Sequence, residues 1–482
     1  MKNEVRDDSL TDSVTRRNFL KRSSAAGVIP VVSAETALEA QAPTHRDRPN
    51  VILIISDQFR WDCVGANGLN PLKLTPNLDA MANEGVNFAN AITNQPVCAP
   101  SRGCLFTSLY PTRHGVWRNG IALPGQALTL AKVFRQAGYT ANYIGKWHLG
   151  QPGVAGAVPP EYRGGFDDFW EGCNELELTS HPYEGTIWDG DGHPIPFKDE
   201  YRVDFITSRV TRFLREKARA PFFLVISYLE PHFQNDCSCF VAPKGYAERY
   251  RNSFVPADLK FFPGDWESQL PDYYGCIARV DENVGNLRKE MAMLGISDNT
   301  ILVFLSDHGC HFRTRNQEYK RSGHEASIHV PMIMAGPAFG RPLVVKELMS
   351  QIDVAPTLLD ACGITPPASF QGRSAMPLVA RQVKGWQNEV FIQISESMTG
   401  RALRTPEWTY VVAQPDGKSQ ESSAHYEEYQ LYNLYSDPHQ LVNLAGRRET
   451  HEISGVLRER LRQRMLNAGE AMAEIQPKPL YP

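Results

Sequence analysis

Short runs of apolar residues that end in polar ones recur along this chain, and they predict its architecture. Asn50-Val-Ile-Leu-Ile-Ile55 is continuous, brief and rich in β-branched residues, the pattern of a strand buried on both faces. Tyr139 to Ile144, Phe222 to Ser227 and Thr300 to Leu305 repeat it. Between these runs, helical spacing marks Thr75-Pro76 to Glu84, Ser101 to about Leu109, Leu128 to Gln136, Asp204 to Lys217, Tyr273 to Leu294 and Asp353 to Cys362. Apolar strands alternating with helices predict an α/β fold: a large mixed, mostly parallel sheet flanked by helices.

The pattern changes after about residue 375. Val390 to Ile394, Gly400 to Arg404, Trp408 to Val412 and Gln430 to Leu434 read as short antiparallel strands, followed by a polar helix from about Thr450 to Leu466. The predicted organisation is a catalytic α/β domain over 43–375 and a smaller C-terminal α+β subdomain over 376–482, built on a short antiparallel sheet. Residues 151–201 are rich in Gly, Pro and charge with little periodicity. So long an irregular stretch is more often functional than accidental, which predicts a cleft wall with His181, Trp188 and His193 as contacts.

What stands at the strand ends carries the chemistry. Ser56-Asp57-Gln58, Gly145-Lys146-Trp147-His148, Glu230-Pro231-His232 and Ser306-Asp307-His308 each follow an apolar run, where open α/β sheets place their ligand sites. A lone aspartate there also suits a turn. It is the agreement of several ends that points to a site. Lys146 and His148, two apart in an extended segment, face the same way.

Charge and cysteine content narrow the classes. A net charge of -4 with scattered bases excludes nucleic-acid binding, so an anionic substrate needs a local positive pocket. Nine cysteines form no even framework, and Cys237-Ser238-Cys239 is too tight for a zinc knuckle. No pairing follows from the spacing. The N-terminus reads as a signal peptide over 1–42: Arg16-Arg17 before Phe19-Leu20-Lys21, then a short apolar stretch and small residues. The paired arginines match twin-arginine export, with no stable membrane insertion once the signal is removed.

Cys98-Ala99-Pro100-Ser101-Arg102 is the stretch around which the rest is arranged. A single cysteine usually packs as a small hydrophobe. Here Pro100 suits a first helical turn, which sets Cys98 just before a helix N-terminus with Arg102 beside it, a site for an oxyanion. Together with Leu105 and Thr107, and with Gly145 to Gly150 and Ser306 to Pro331, this stretch resembles the sulfatase family, in the large alkaline-phosphatase-like superfamily. Arg401 to Tyr410 and Leu431 to Pro438 resemble that family's smaller C-terminal domain.

The resemblance implies that Cys98 is oxidised to formylglycine by a maturation enzyme and that the hydrate is the nucleophile. It implies one divalent cation held by Asp57, Gln58, Cys98, Asp307 and His308, with calcium the family's usual ion. Gln58 and His308 stand where many relatives have Asp and Asn, which leaves manganese or zinc open. Arg102, Lys146, His148, His232 and Lys320 are implied as catalytic. Arg313 and Arg315, too exposed in type for a core and close behind Asp307-His308, are expected to bring one side chain against an anionic sugar. The family usually has glycine where this chain has Ser108. The expected activity is hydrolysis of sulfate esters on a carbohydrate by a periplasmic or secreted bacterial enzyme. The alternatives are a phosphonate monoester or phosphodiester hydrolase of the same superfamily and a silent glycan-binding protein.

Overall fold

A computed structural model describes residues 48–219 and 221–481, so the export signal predicted over 1–42 lies outside the described residues. Strands Thr300–Ser306, Asn50–Ser56, Phe222–Tyr228, Thr140–Lys146 and Phe169–Cys173 lie side by side in that order, all parallel. Met332–Ala335 joins Thr300–Ser306 antiparallel and pairs in turn with Val86–Ile92, which makes the sheet mixed. Among the described residues this sheet has 12 strands, and it carries the α/β architecture that the alternating pattern predicts.

Side chains along Asn50–Ser56 alternate between two cores, as a pleated strand requires. Ile52 and Ile54 point into one, against Phe205 and Val210 of helix Arg202–Glu216 and Ile277 and Val284 of helix Trp266–Met293. Val51, Leu53 and Ile55 point into the other, which holds Leu105 and Phe106 of helix Cys98–Thr107, Leu130 of helix Leu130–Gln136 and Leu358 of helix Val354–Ala361. Burial on both faces is why these strands read as unbroken apolar runs.

Register brings the strand ends level. Ser56 lies opposite both Ser306 and Tyr228, and Gly145 lies opposite Ser227. Ser306 Oγ donates to Ser56 O at 2.8 Å and accepts from Phe59 N at 2.9 Å, tying two ends together. The polar residues that follow therefore leave the sheet along one edge.

A second sheet is formed by Val390–Ile394, Gly400–Arg404, Trp408–Ala413 and His425–Asn433, antiparallel, with Glu474–Gln476 parallel at its rim. Helix His451–Ala468 packs Leu457, Leu461 and Met465 against it. Arg404 reaches from this sheet to Glu325 at 2.7 Å.

Three expectations need correction. The 151–201 stretch is not irregular: Phe169–Cys173, Glu184–Asp189 and Pro194–Lys198 extend the large sheet. Prolines 194 and 196 and a half-buried pattern hid the two outer ones, Glu184–Asp189 and Pro194–Lys198. The long helix begins at Trp266 rather than near Tyr273, because it accommodates Pro271 within its early turns. The helix read as Ser101 to Leu109 spans Cys98–Thr107.

Candidate active site at the level strand ends

Cys98 is the first residue of its helix instead of the residue before it. Val97 is extended, and Ser101 N donates to Val97 O at 2.9 Å, closing the first turn three residues early. Pro100 loses nothing there, since the first N-H groups of a helix have no partner within it. The helix ends at Ser108, which is left-handed at φ 55°, the conformation that explains a usual glycine at this place. Serine is held there by its hydroxyl, which donates to Ile352 O at 2.7 Å.

Arg102, one turn into that helix, is fully buried and lies beneath the site. Its Nε meets Asp307 Oδ2 at 3.2 Å and its Nη2 meets Asp57 Oδ2 at 3.3 Å, while Nη1 donates to Lys146 O and Ser227 Oγ. It braces the two carboxylates rather than facing a ligand. Asp57 also takes Lys146 Nζ at 2.7 Å. Asp307 Oδ1 accepts from the backbone N of His308 and of Gln58, at 2.9 and 3.2 Å.

The Cys98 sulfur stands 3.0 Å from Lys320 Nζ, 3.3 Å from His308 Nε2 and 3.7 Å from Asp57 Oδ1. Lys320 Nζ also lies 3.1 Å from His232 Nε2. Burial works to raise the Cys98 pKa, but Lys146, Lys320 and His308, with a hydrogen bond from His148, hold it well below an ordinary thiol. Asp57 is likewise held well below the usual carboxylate range: burial and Cys98 push it up, and Lys146 and His232 overcome them. Burial and the neighbouring Asp57 push Asp307 up. The centre favours a negative group at residue 98.

Asp57, Cys98, Asp307 and His308 are buried and present ligand atoms within 4.8 Å of one another. Gln58, held at φ 68°, donates its Nε2 to Cys310 Sγ and leaves its buried Oε1 without a partner. Such an atom costs about 1–3 kcal/mol unless something meets it. Gln58 follows Asp57 in the chain and bonds Asp307 through its backbone N, so its unpartnered oxygen fits a cation held with these residues, and the imidazole of His308 widens the choice beyond calcium.

A cavity of about 230 Å³ opens on this centre, lined by Gln58, Cys98, Glu177, His232, Arg313 and Lys320 among others. Arg313 lies over the rings of Phe233 and Tyr319 and is 44% exposed. Arg315 points elsewhere, a correction to its expected role: it donates to Gln440 O and His439 O and stacks on Phe262. His181 is exposed and bound to Asp236, and His193 is exposed and pairs with Asp189; neither lines this cavity, and nor does Trp188. The sequence reading missed Glu177, buried in the helix Leu176–Thr179, whose Oε1 meets Lys146 Nζ at 2.9 Å. Its signal was weak, an acid among acids in Asn174-Glu-Leu-Glu-Leu178. Cys237 and Cys239, which spacing left unassigned, form a disulfide.

Comparison with known proteins agrees with this geometry. A family model described as Sulfatase matches residues 49–364, and one described as N-sulphoglucosamine sulphohydrolase, C-terminal, matches residues 317–467. The ulvan-active sulfatase of Formosa agariphila is 29% identical, over 90% of this chain and 84% of that protein. An arylsulfatase of Clostridium perfringens is 28% identical, over 86% of this chain and 93% of that one. Among solved structures, a Bacteroides fragilis protein described as a sulfatase, yidJ, matches with a TM-score of 0.75 at 26% identity, covering 90% of this chain and 98% of the other.

Proposed function

The chain belongs to the sulfatase family, which makes it a sulfuric ester hydrolase, and we propose that it removes sulfate from a sulfated carbohydrate with a formylglycine made from Cys98. The observation that carries this reading is the surrounding of the Cys98 sulfur by Lys320, His308 and Asp57 at the mouth of a polar cavity. The glycan assignment is supported by the activity named for the Formosa relative. A maturation enzyme and twin-arginine export to the periplasm or outside the cell belong to the same proposal, since an exported glycan sulfatase meets polysaccharide there.

Asp57, Gln58, Asp307 and His308 would hold the divalent cation, calcium first and manganese or zinc as alternatives. It would supply positive charge at residue 98. Arg102 keeps Asp57 and Asp307 in place from beneath. Lys320 and His232, beside the sulfur, receive the oxygens of the incoming sulfate, and positive groups fixed in advance are worth most where charge spreads. One hydroxyl of the hydrated formylglycine attacks sulfur as the bond from sulfur to the sugar oxygen breaks, and the proton it loses passes through Lys320 or His232 to that leaving oxygen. His148 then takes the proton from the second hydroxyl, the aldehyde re-forms and sulfate leaves.

Gln58 and His308 in the ligand set keep phosphonate monoesters and phosphodiesters as the rival substrates. Turnover of an aryl sulfate, an aryl phosphonate monoester and a phosphodiester by one preparation, followed by a panel of defined sulfated oligosaccharides, decides between them. The expected order puts aryl sulfate first, with release of sulfate from the oligosaccharides; faster phosphonate hydrolysis and no glycan desulfation would overturn the proposal.

A further inference from the structure

Glu177 comes to the site from the side, on a short helix just past strand Phe169–Cys173. Lys146 divides its ammonium between Glu177 Oε1 at 2.9 Å and Asp57 Oδ2 at 2.7 Å. The same Oε1 stands 3.7 Å from His148 Nδ1. Two buried atoms here lack partners, Glu177 Oε2 and His148 Nδ1. His148 itself is held at φ 62°, a conformation that a histidine adopts at some energetic cost. A buried carboxylate is a poor way to fill space, because it must be compensated by neighbouring cations. Lys146 already has Asp57, so charge balance for that lysine does not by itself call for a second acid.

We propose that Glu177 is a positioning residue, whose carboxylate receives the Nδ1 proton of His148 so that the bare Nε2 faces residue 98, and which steadies Lys146 against Asp57. The proposal rests on the reading of His148 as the base of the release step. At 3.7 Å the contact is too long for a hydrogen bond, and a small rotation of the ring closes it in the resting protein. It would satisfy one of the unpartnered atoms and fix the tautomer, the service that a carboxylate renders to histidines in metal sites and in hydrolase triads. The chemistry balances: Nε2 takes the hydroxyl proton, the C=O bond of the aldehyde forms, the bond from carbon to the sulfate oxygen breaks, and the positive charge on the ring rests beside Glu177.

The test compares wild type with Glu177→Gln, which keeps the shape, and Glu177→Asp, which keeps the charge. The first readout is kcat and KM on an aryl sulfate, with equal aldehyde content at residue 98 checked by mass spectrometry. The second is the His148 tautomer in the substrate-free protein by 15N NMR, its signals assigned by their loss in His148→Gln. We expect Glu177→Gln to lower kcat about 10–100-fold with KM changed less than about threefold, Glu177→Asp to recover part of the loss, and the Nδ1 proton of wild type to move to Nε2 in Glu177→Gln. A kcat within about twofold of wild type, or an Nδ1 without its proton in wild type, would overturn the proposal. The NMR readout needs no turnover, so a wild type inactive on sulfate esters would sink the functional reading while the tautomer still judges Glu177.

Discussion

Around Cys98 the buried charges alternate: Asp57 lies between Arg102 and Lys146, Asp307 against Arg102, and Glu177 beyond Lys146. Each carboxylate is tolerable only because a cation shares its low-dielectric surroundings. Burial works to raise the pKa of Glu177, but Lys146 and then His148 hold it at about 2, against an ordinary 4.5. A depressed carboxylate adds stability that is complete above its unfolded pKa and is lost as pH falls toward the folded one. Wild type should therefore exceed Glu177→Gln by up to about 3 kcal/mol at pH 7, with about 1 kcal/mol of the difference gone by pH 3.5. Urea unfolding of both proteins at the two pH values measures this, and a difference that does not change with pH would count against the ion pair. Most of these residues were legible in the sequence because each closes an apolar run or sits in a recognisable block, as Asp57, His148, His232 and Asp307 do. Glu177 was not, since its partner Lys146 lies far away in sequence and nothing local distinguishes it from a solvated acid.

At the scale of elements, what the strand ends deliver is finished by one loop, which leaves Asp307 and returns at Lys320. Phe312, Arg313 and Arg321 are all left-handed in it. His311 pins its two arms, its N-H donating to Tyr319 O at 2.8 Å and its Nε2 to Lys320 O at 3.0 Å. This folding sends two arginines, close in sequence, in opposite directions: Arg313 into the cavity wall and Arg315 onto the carbonyls of His439 and Gln440. Arg313→Ala should raise KM several-fold on a sulfated oligosaccharide and less on a small aryl sulfate, at unchanged melting temperature. Arg315→Ala should lower the melting temperature, with the KM values little altered. Steady-state kinetics on both substrates and a thermal melt of each variant separate the two; equal kinetic effects would remove Arg313 from substrate binding. Spacing could not tell these arginines apart, because the left-handed residues between strand and site have no pattern in an apolar-polar reading. For the same reason the buried strands were legible, while Glu184–Asp189 and Pro194–Lys198, at the sheet's edge and half exposed, were not.

Over the whole molecule, the cavity depends on both sheets. Glu396, from the region after 376, accepts from Asn119 N at 2.6 Å and from Arg321 Nε at 2.8 Å, and both partners line the cavity. Asn119 in turn accepts from Ala99 N at 3.1 Å, next to Cys98. The proposed division into 43–375 and 376–482 is thus one of folding pattern, with the site completed across it. No described helix is long and apolar enough to cross a membrane. All these arrangements converge on residue 98, which, on the proposed formylglycine reading, a maturation enzyme reaches before the buried site closes around it. The most direct test is mass spectrometry of the tryptic peptide carrying residue 98, from protein produced together with a formylglycine-generating enzyme. The account expects the aldehyde and its hydrate in place of the thiol, in proportion to sulfatase activity; an active protein whose Cys98 remains an unmodified thiol would contradict it.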